Sequence, residues 1–94
     1  MSLQNEAQRG ELARQVLENE VYAEAYALIE QEIMRIWRDS KNQDEREELH
    51  RALRSLGKVR QVLEGTMNSG KVAAATLQAE KSRAQRIGEY FKGA

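Results

Sequence analysis

Apolar residues recur along this 94-residue chain at intervals of three and four, the spacing that gathers side chains on one face of a helix. The first such run holds Leu12, Ala13, Val16 and Leu17. Asn5 with Gln8 three residues later reads as a capping box at its start, and Gly10 weakens its opening turns. The pattern falters at Glu18-Asn19-Glu20, where Asn19 is suited to cap a second helix. No Pro or Gly separates the two runs, so one long kinked helix is the alternative.

The second run, from about Glu20 to Asp39, is the clearest. Val21, Ala25, Leu28, Ile29, Ile33, Ile36 and Trp37 share a face, with Tyr22 and Tyr26 at its edge. Ser40-Lys41-Asn42-Gln43 is a loop. Asn42 and Glu45 form a capping box, and Asp44, Glu45, Glu47 and Glu48 supply the negative charge a helix N-terminus favours. Leu49, Ala52, Leu53, Leu56, Val59, Leu63, Thr66 and Met67 then predict a third helix to about Asn68, about 39 Å long. Gly57 in its middle suggests close approach of another helix. Asn68-Ser69-Gly70 predicts its end, with Gly70 in the left-handed position that closes many helices. Beyond it, Lys71 to Arg86 is rich in Ala, with Val72, Leu77 and Ile87 as its only large aliphatic residues, and Tyr90 and Phe91 near the tip. That segment reads as a helical arm that docks onto something or stays mobile.

The expected architecture is all-α. It is a small helical bundle built on a long antiparallel αα-hairpin, with an N-terminal helix and a C-terminal arm. Residues 1–70 form the bundle, with the hairpin over about 20–68, and residues 71–94 form the Ala-rich arm. Composition agrees. There is no Pro to interrupt a helix, and the aromatics are one Phe, one Trp and three Tyr. Of the hydrophobic residues 12 are Ala, so a monomer would be thinly cored and self-association would complete it.

Charge adds an asymmetry that the net value of zero hides. Met1 to Glu48 carries twelve acids and six bases, and Leu49 to Ala94 carries nine bases and three acids. Such a split points to an electrostatic partner, either the other half of the chain, a neighbouring copy or a polyanion. Arg51, Arg54 and Lys58 line one helical face and, with Lys71, Lys81, Arg83 and Arg86, could track a phosphate backbone. Against a dedicated nucleic-acid binder stand a pI near 6.6, Glu47 placed to pair with Arg51, and the lack of a helix-turn-helix. Tyr22, Tyr26, Trp37, Tyr90 and Phe91 are the candidate protein-interface residues, while Trp37 also suits a core anchor that closes the hairpin.

Catalysis finds little support. There is no Cys, and Ser2, Ser40, Ser55, Ser69 and Ser82 lie in no nucleophile elbow. The lone His50 reads as a surface or interface residue. The carboxylates Glu20, Glu24, Glu30 and Glu32 join no Glu-x-x-His motif, and Asn68-Ser69-Gly70-Lys71 lacks the first glycine of a phosphate loop. No catalytic residue, metal site or cofactor is expected. Mean hydropathy is −0.76, no apolar run approaches the roughly 20 residues of a membrane span, and Met1 to Gly10 is too polar for a signal peptide.

The run Arg9, Leu17-Glu18-Asn19, Glu24-Ala25-Tyr26 and Trp37, followed by Leu56-Gly57-Lys58-Val59, Leu63 and Asn68-Ser69-Gly70-Lys71, resembles small helical proteins of tailed phages and prophages. Proteins of that kind are encoded near head-assembly and DNA-packaging genes, and the small terminase subunit is their best-understood role. The resemblance implies a non-enzymatic, homo-oligomeric assembly or packaging component, in the host cytoplasm or associated with the virion. Its partners would be further copies of the chain, phage head or packaging proteins and, as an option, nucleic acid, with no membrane. A second expectation is a phage-encoded binder that inhibits or redirects a host protein, such as a defence or nucleic-acid-handling complex.

Overall fold

The computed structural model describes residues 2–93 as three helices, with no strand among them: α1 Leu3–Glu18, α2 Glu20–Asp39 and α3 Gln43–Gly93. The fold is all-α. Its long axis measures 79 Å and its other extents are 24 and 17 Å, so the molecule is a rod. The rod is α3 itself, whose 51 residues span about 76 Å.

Helix α1 starts earlier than the Asn5–Gln8 box predicts. Ser2 is the cap: its backbone is extended, and its hydroxyl accepts a hydrogen bond from the Asn5 N–H at 3.1 Å. Asn5 therefore already sits in the first turn, as one of the orphan donors that a cap satisfies. At the other end, Asn19 alone separates α1 from α2. Its N–H donates to Val16 O at 3.1 Å, and its side-chain oxygen accepts from Tyr22 N–H at 2.9 Å, so one residue closes one helix and opens the next. The two runs are thus separate helices rather than one. Asn42 opens α3, with its side-chain oxygen accepting from Asp44 N–H at 2.9 Å and Glu45 N–H at 3.3 Å. Arg46 braces that loop by donating to Ser40 O at 3.0 Å.

The expected stop at Asn68-Ser69-Gly70 does not occur. Gly70 has no positive φ, and α3 runs through it and through the boundary expected at residue 70. The residues that follow are mostly Ala, Lys, Gln and Glu, which extend an existing helix at little cost. Gly70 serves packing instead. A Cβ built on it would lie 2.5 Å from the Cα of Gly10, and a Cβ on Gly10 would lie 2.5 Å from the Cα of Gly70. The two backbones touch where only hydrogen fits. Gly57, where a close approach was expected, has nothing within 4 Å of such a Cβ.

The buried residues among those described gather around this crossing. Ala13 is 5% exposed and Ala73 1%, Gly10 and Gly70 are buried beside them, and among the described residues no large side chain is fully buried. Helix α2 packs more loosely. Tyr26 donates its hydroxyl to Leu56 O at 3.4 Å, and Ile33, Met34 and Trp37 lie against Leu49, His50 and Leu53. Trp37 is half-buried rather than a core anchor: it lines an open pocket with Leu49, His50 and Leu53, and the Arg46 guanidinium lies over its ring, 4.1 Å from the centroid.

Candidate interaction surfaces

The sequence-predicted basic residues stand on one continuous helix and separate along it. Arg51 and Arg86 lie 35 residues apart, about 52 Å, so they belong to opposite ends of the rod rather than to one patch. Arg51, Arg54, Lys58, Lys71, Lys81, Arg83 and Arg86 are all exposed. Lys71 flanks the glycine crossing, in a cleft with Gly10, Glu11 and Arg14.

At the loop end, Arg51 and Arg54 share a shallow groove with Trp37, Arg46, Glu47 and His50. Arg51 is engaged there by Glu47, 3.8 Å away and one turn back, as the sequence predicts. Arg46, which stacks on Trp37, is a member of this groove that the helix-face reading did not single out; the loop brings it there, and its spacing along α3 carries no sign of that. Beneath it is a smaller apolar pocket of about 220 Å³, lined by Ile33, Met34, Trp37, Leu49, His50 and Leu53. His50 is exposed and borders both.

The aromatic candidates fall into three places. Trp37 lies at the loop end. Tyr22 and Tyr26 stack at a tilt, with centroids 6.0 Å apart, and Arg60 sits 5.5 Å from the Tyr26 ring. The Tyr22 hydroxyl is buried with no hydrogen-bond partner. Tyr90 and Phe91 meet edge to face at 5.7 Å near the far end of α3, in a groove with Arg83, Arg86 and Ile87. Tyr90 is 75% exposed and Phe91 72%.

Electrostatics within the chain are local. Arg14 binds both Glu11 and Glu18, Arg35 binds Glu32 at 2.6 Å, and Arg60 binds Glu64 at 3.2 Å, each pair within one helix. Hydrogen bonding to Arg14 holds the Glu11 carboxyl below the usual carboxylate range, and Arg35 does the same for Glu32. The only ion pair among the described residues that joins the acidic half to the basic half is Glu47–Arg51, a single helical turn. Direct ion pairing thus links the two halves at this one turn among the described residues, although α1 and α2 both pack on α3. Among the described residues no group of three or more metal-ligating side chains converges, and no helix is long and apolar enough to cross a membrane.

No protein family, curated protein or solved structure matches the chain.

Proposed function

We propose that this protein is a non-enzymatic, self-associating structural component, built on the α2–α3 hairpin, of the kind that serves phage head assembly or DNA packaging. One observation carries the reading: large apolar side chains stay in water while the buried apolar core is two alanines. Val21 is 70% exposed, Leu28 66% and Val62 67%. Single exposed apolar residues are ordinary, but residues repeated along every helix mark surface that association would cover. The phage setting rests on the short runs from Arg9 to Leu77 that resemble such proteins, and a small-terminase-like role is its most specific form.

Light scattering on the intact chain tests this directly. The expected result is a discrete species of several times 10.8 kDa. A monomer at about 100 µM, far above the dissociation constants of specific complexes, would overturn it. A gel shift with duplex DNA belongs beside it. The packaging form of the proposal expects a shift that falls steeply with salt and is lost when Arg51, Arg54 and Lys58 become Gln.

A further inference from the structure

The end of α3 has a shape and a chemistry that the rest of the molecule does not use. From Gln78 to Gly93 every residue is exposed apart from half-buried Ser82, so α3 extends there without a neighbour from α1 or α2. These 16 residues project about 24 Å. Arg83, Arg86, Ile87, Tyr90 and Phe91 share one groove-lining face, and neither arginine has an ion-pair partner among the described residues. Ile87 is 51% exposed, beside the still more open Tyr90 and Phe91.

Helix α2 offers the complement. Its apolar stripe is wider than α3 covers. Tyr22, Tyr26, Ile33 and Trp37 are half-buried, while Val21, Leu28 and Ile29 remain outside at 70%, 66% and 50% exposure. Positions 21, 25, 28 and 29 follow helical spacing, so these side chains and Ala25 form one outward strip. Glu20 and Glu24 flank that strip, exposed and without ion pairs among the described residues. From Val21 to Ile29 the strip runs about 12 Å along α2, the same length as Arg83 to Phe91 on the arm.

We infer that residues 78–93 of one copy dock on the Val21–Leu28–Ile29 strip of a second copy, with Arg83 and Arg86 facing Glu20 and Glu24. The inference rests on the self-association proposed above and names its interface. Donor and acceptor surfaces differ, so the contact is head-to-tail. It builds a ring if the rotation closes and a filament if it does not.

The test uses intact chains and sedimentation with light scattering. One variant carries Ile87→Ser, Tyr90→Ser and Phe91→Ser; the other carries Val21→Ser, Leu28→Ser and Ile29→Ser. Circular dichroism confirms that each keeps its helicity, as expected for exposed positions. Each variant alone should fall to 10.8 kDa, and an equimolar mixture should recover a species of twice that mass, because each retains the surface the other lacks. Charge reversal supplies a second arm. Arg83→Glu with Arg86→Glu should lower the mass, and Glu20→Lys with Glu24→Lys added to the same chain should restore it. If the wild type assembles and the arm variant keeps its mass, the inference fails while self-association stands. A wild-type monomer overturns both. A wild-type monomer that pellets with phosphatidylserine vesicles through Tyr90 and Phe91 assigns the arm to a lipid surface instead, and also overturns it. Variants that disassemble yet do not recover on mixing would sink the head-to-tail geometry.

Discussion

Helix α3 receives two partners in opposite ways. Against α1 it presents Gly70 and Ala73 to Gly10 and Ala13, and there the backbones meet with no intervening side chain. Against α2 it presents Leu49, Leu53 and Leu56, yet no residue of α2 is buried. Among the described residues the smallest thus fill the buried positions, and the large ones stay half-buried or exposed. Burial here follows how closely two helix axes approach, and glycine sets that distance. Hydrophobic side chains hold α2 in place without sealing it.

The largest expected effect is at the crossing. Gly70→Val puts carbon where the Gly10 backbone already lies, with no flexible side-chain end to yield, and should cost about 3 kcal/mol, the upper range for overpacking. Thermal unfolding would then fall by more than about 10 °C in a domain this size. A midpoint within a degree or two would show that α1 and α3 are not in contact. Trp37→Ala tests the other side of the comparison. Because the ring is half-buried, about 2 kcal/mol is expected, less than full removal of a buried Trp, which costs about 3–5. A loss larger than that at Gly70 would reverse the ranking of the two contacts.

Asn42→Ala removes the acceptor of two N–H groups at the start of α3 and should cost about 1 kcal/mol in a denaturant titration. Gly57→Ala should go the other way. With nothing within 4 Å of the new methyl, helix propensity alone acts, and a gain of about 1 kcal/mol is expected. Destabilisation would mean that a neighbour does approach that position.

The smallest effect is electrostatic. Glu11 and Glu32 have carboxyl groups held below their ordinary range by Arg14 and Arg35. A depressed folded-state value contributes stability above the unfolded value, and that contribution is lost as pH falls through the lower, folded one. Both pairs are exposed, so a midpoint shift smaller than that of Asn42→Ala is expected on acidification through the carboxylate range. Glu11→Gln with Glu32→Gln should flatten that dependence; an unchanged acid profile would show that the pairs do not form in solution.

Much of this was legible from residue order alone. The α2 bounds, the Asn19 and Asn42 caps and the all-helical class follow from apolar spacing and side-chain acceptors, which act within a few residues. What misled was glycine. Gly70 after Asn68-Ser69 carries the local signature of a helix end, and Gly57 that of a close approach, yet tertiary position reverses the two. Local sequence does not say which glycine has a second backbone across from it. The candidate surfaces divide along the same line. Arg83, Arg86, Tyr90 and Phe91 are grouped by helical spacing and so could be read together, whereas the stacking of Arg46 on Trp37 depends on a loop folding back.

A 51-residue helix in a chain of this length also governs how the molecule moves through water. The Cα radius of gyration is 21.6 Å, against about 12 Å for a compact domain of equal length. A rod drags more solvent than a sphere of the same mass. A single copy will therefore elute early from a sizing column, sediment slowly, and tumble with two distinct correlation times, one for spinning about the long axis and a longer one for end-over-end rotation.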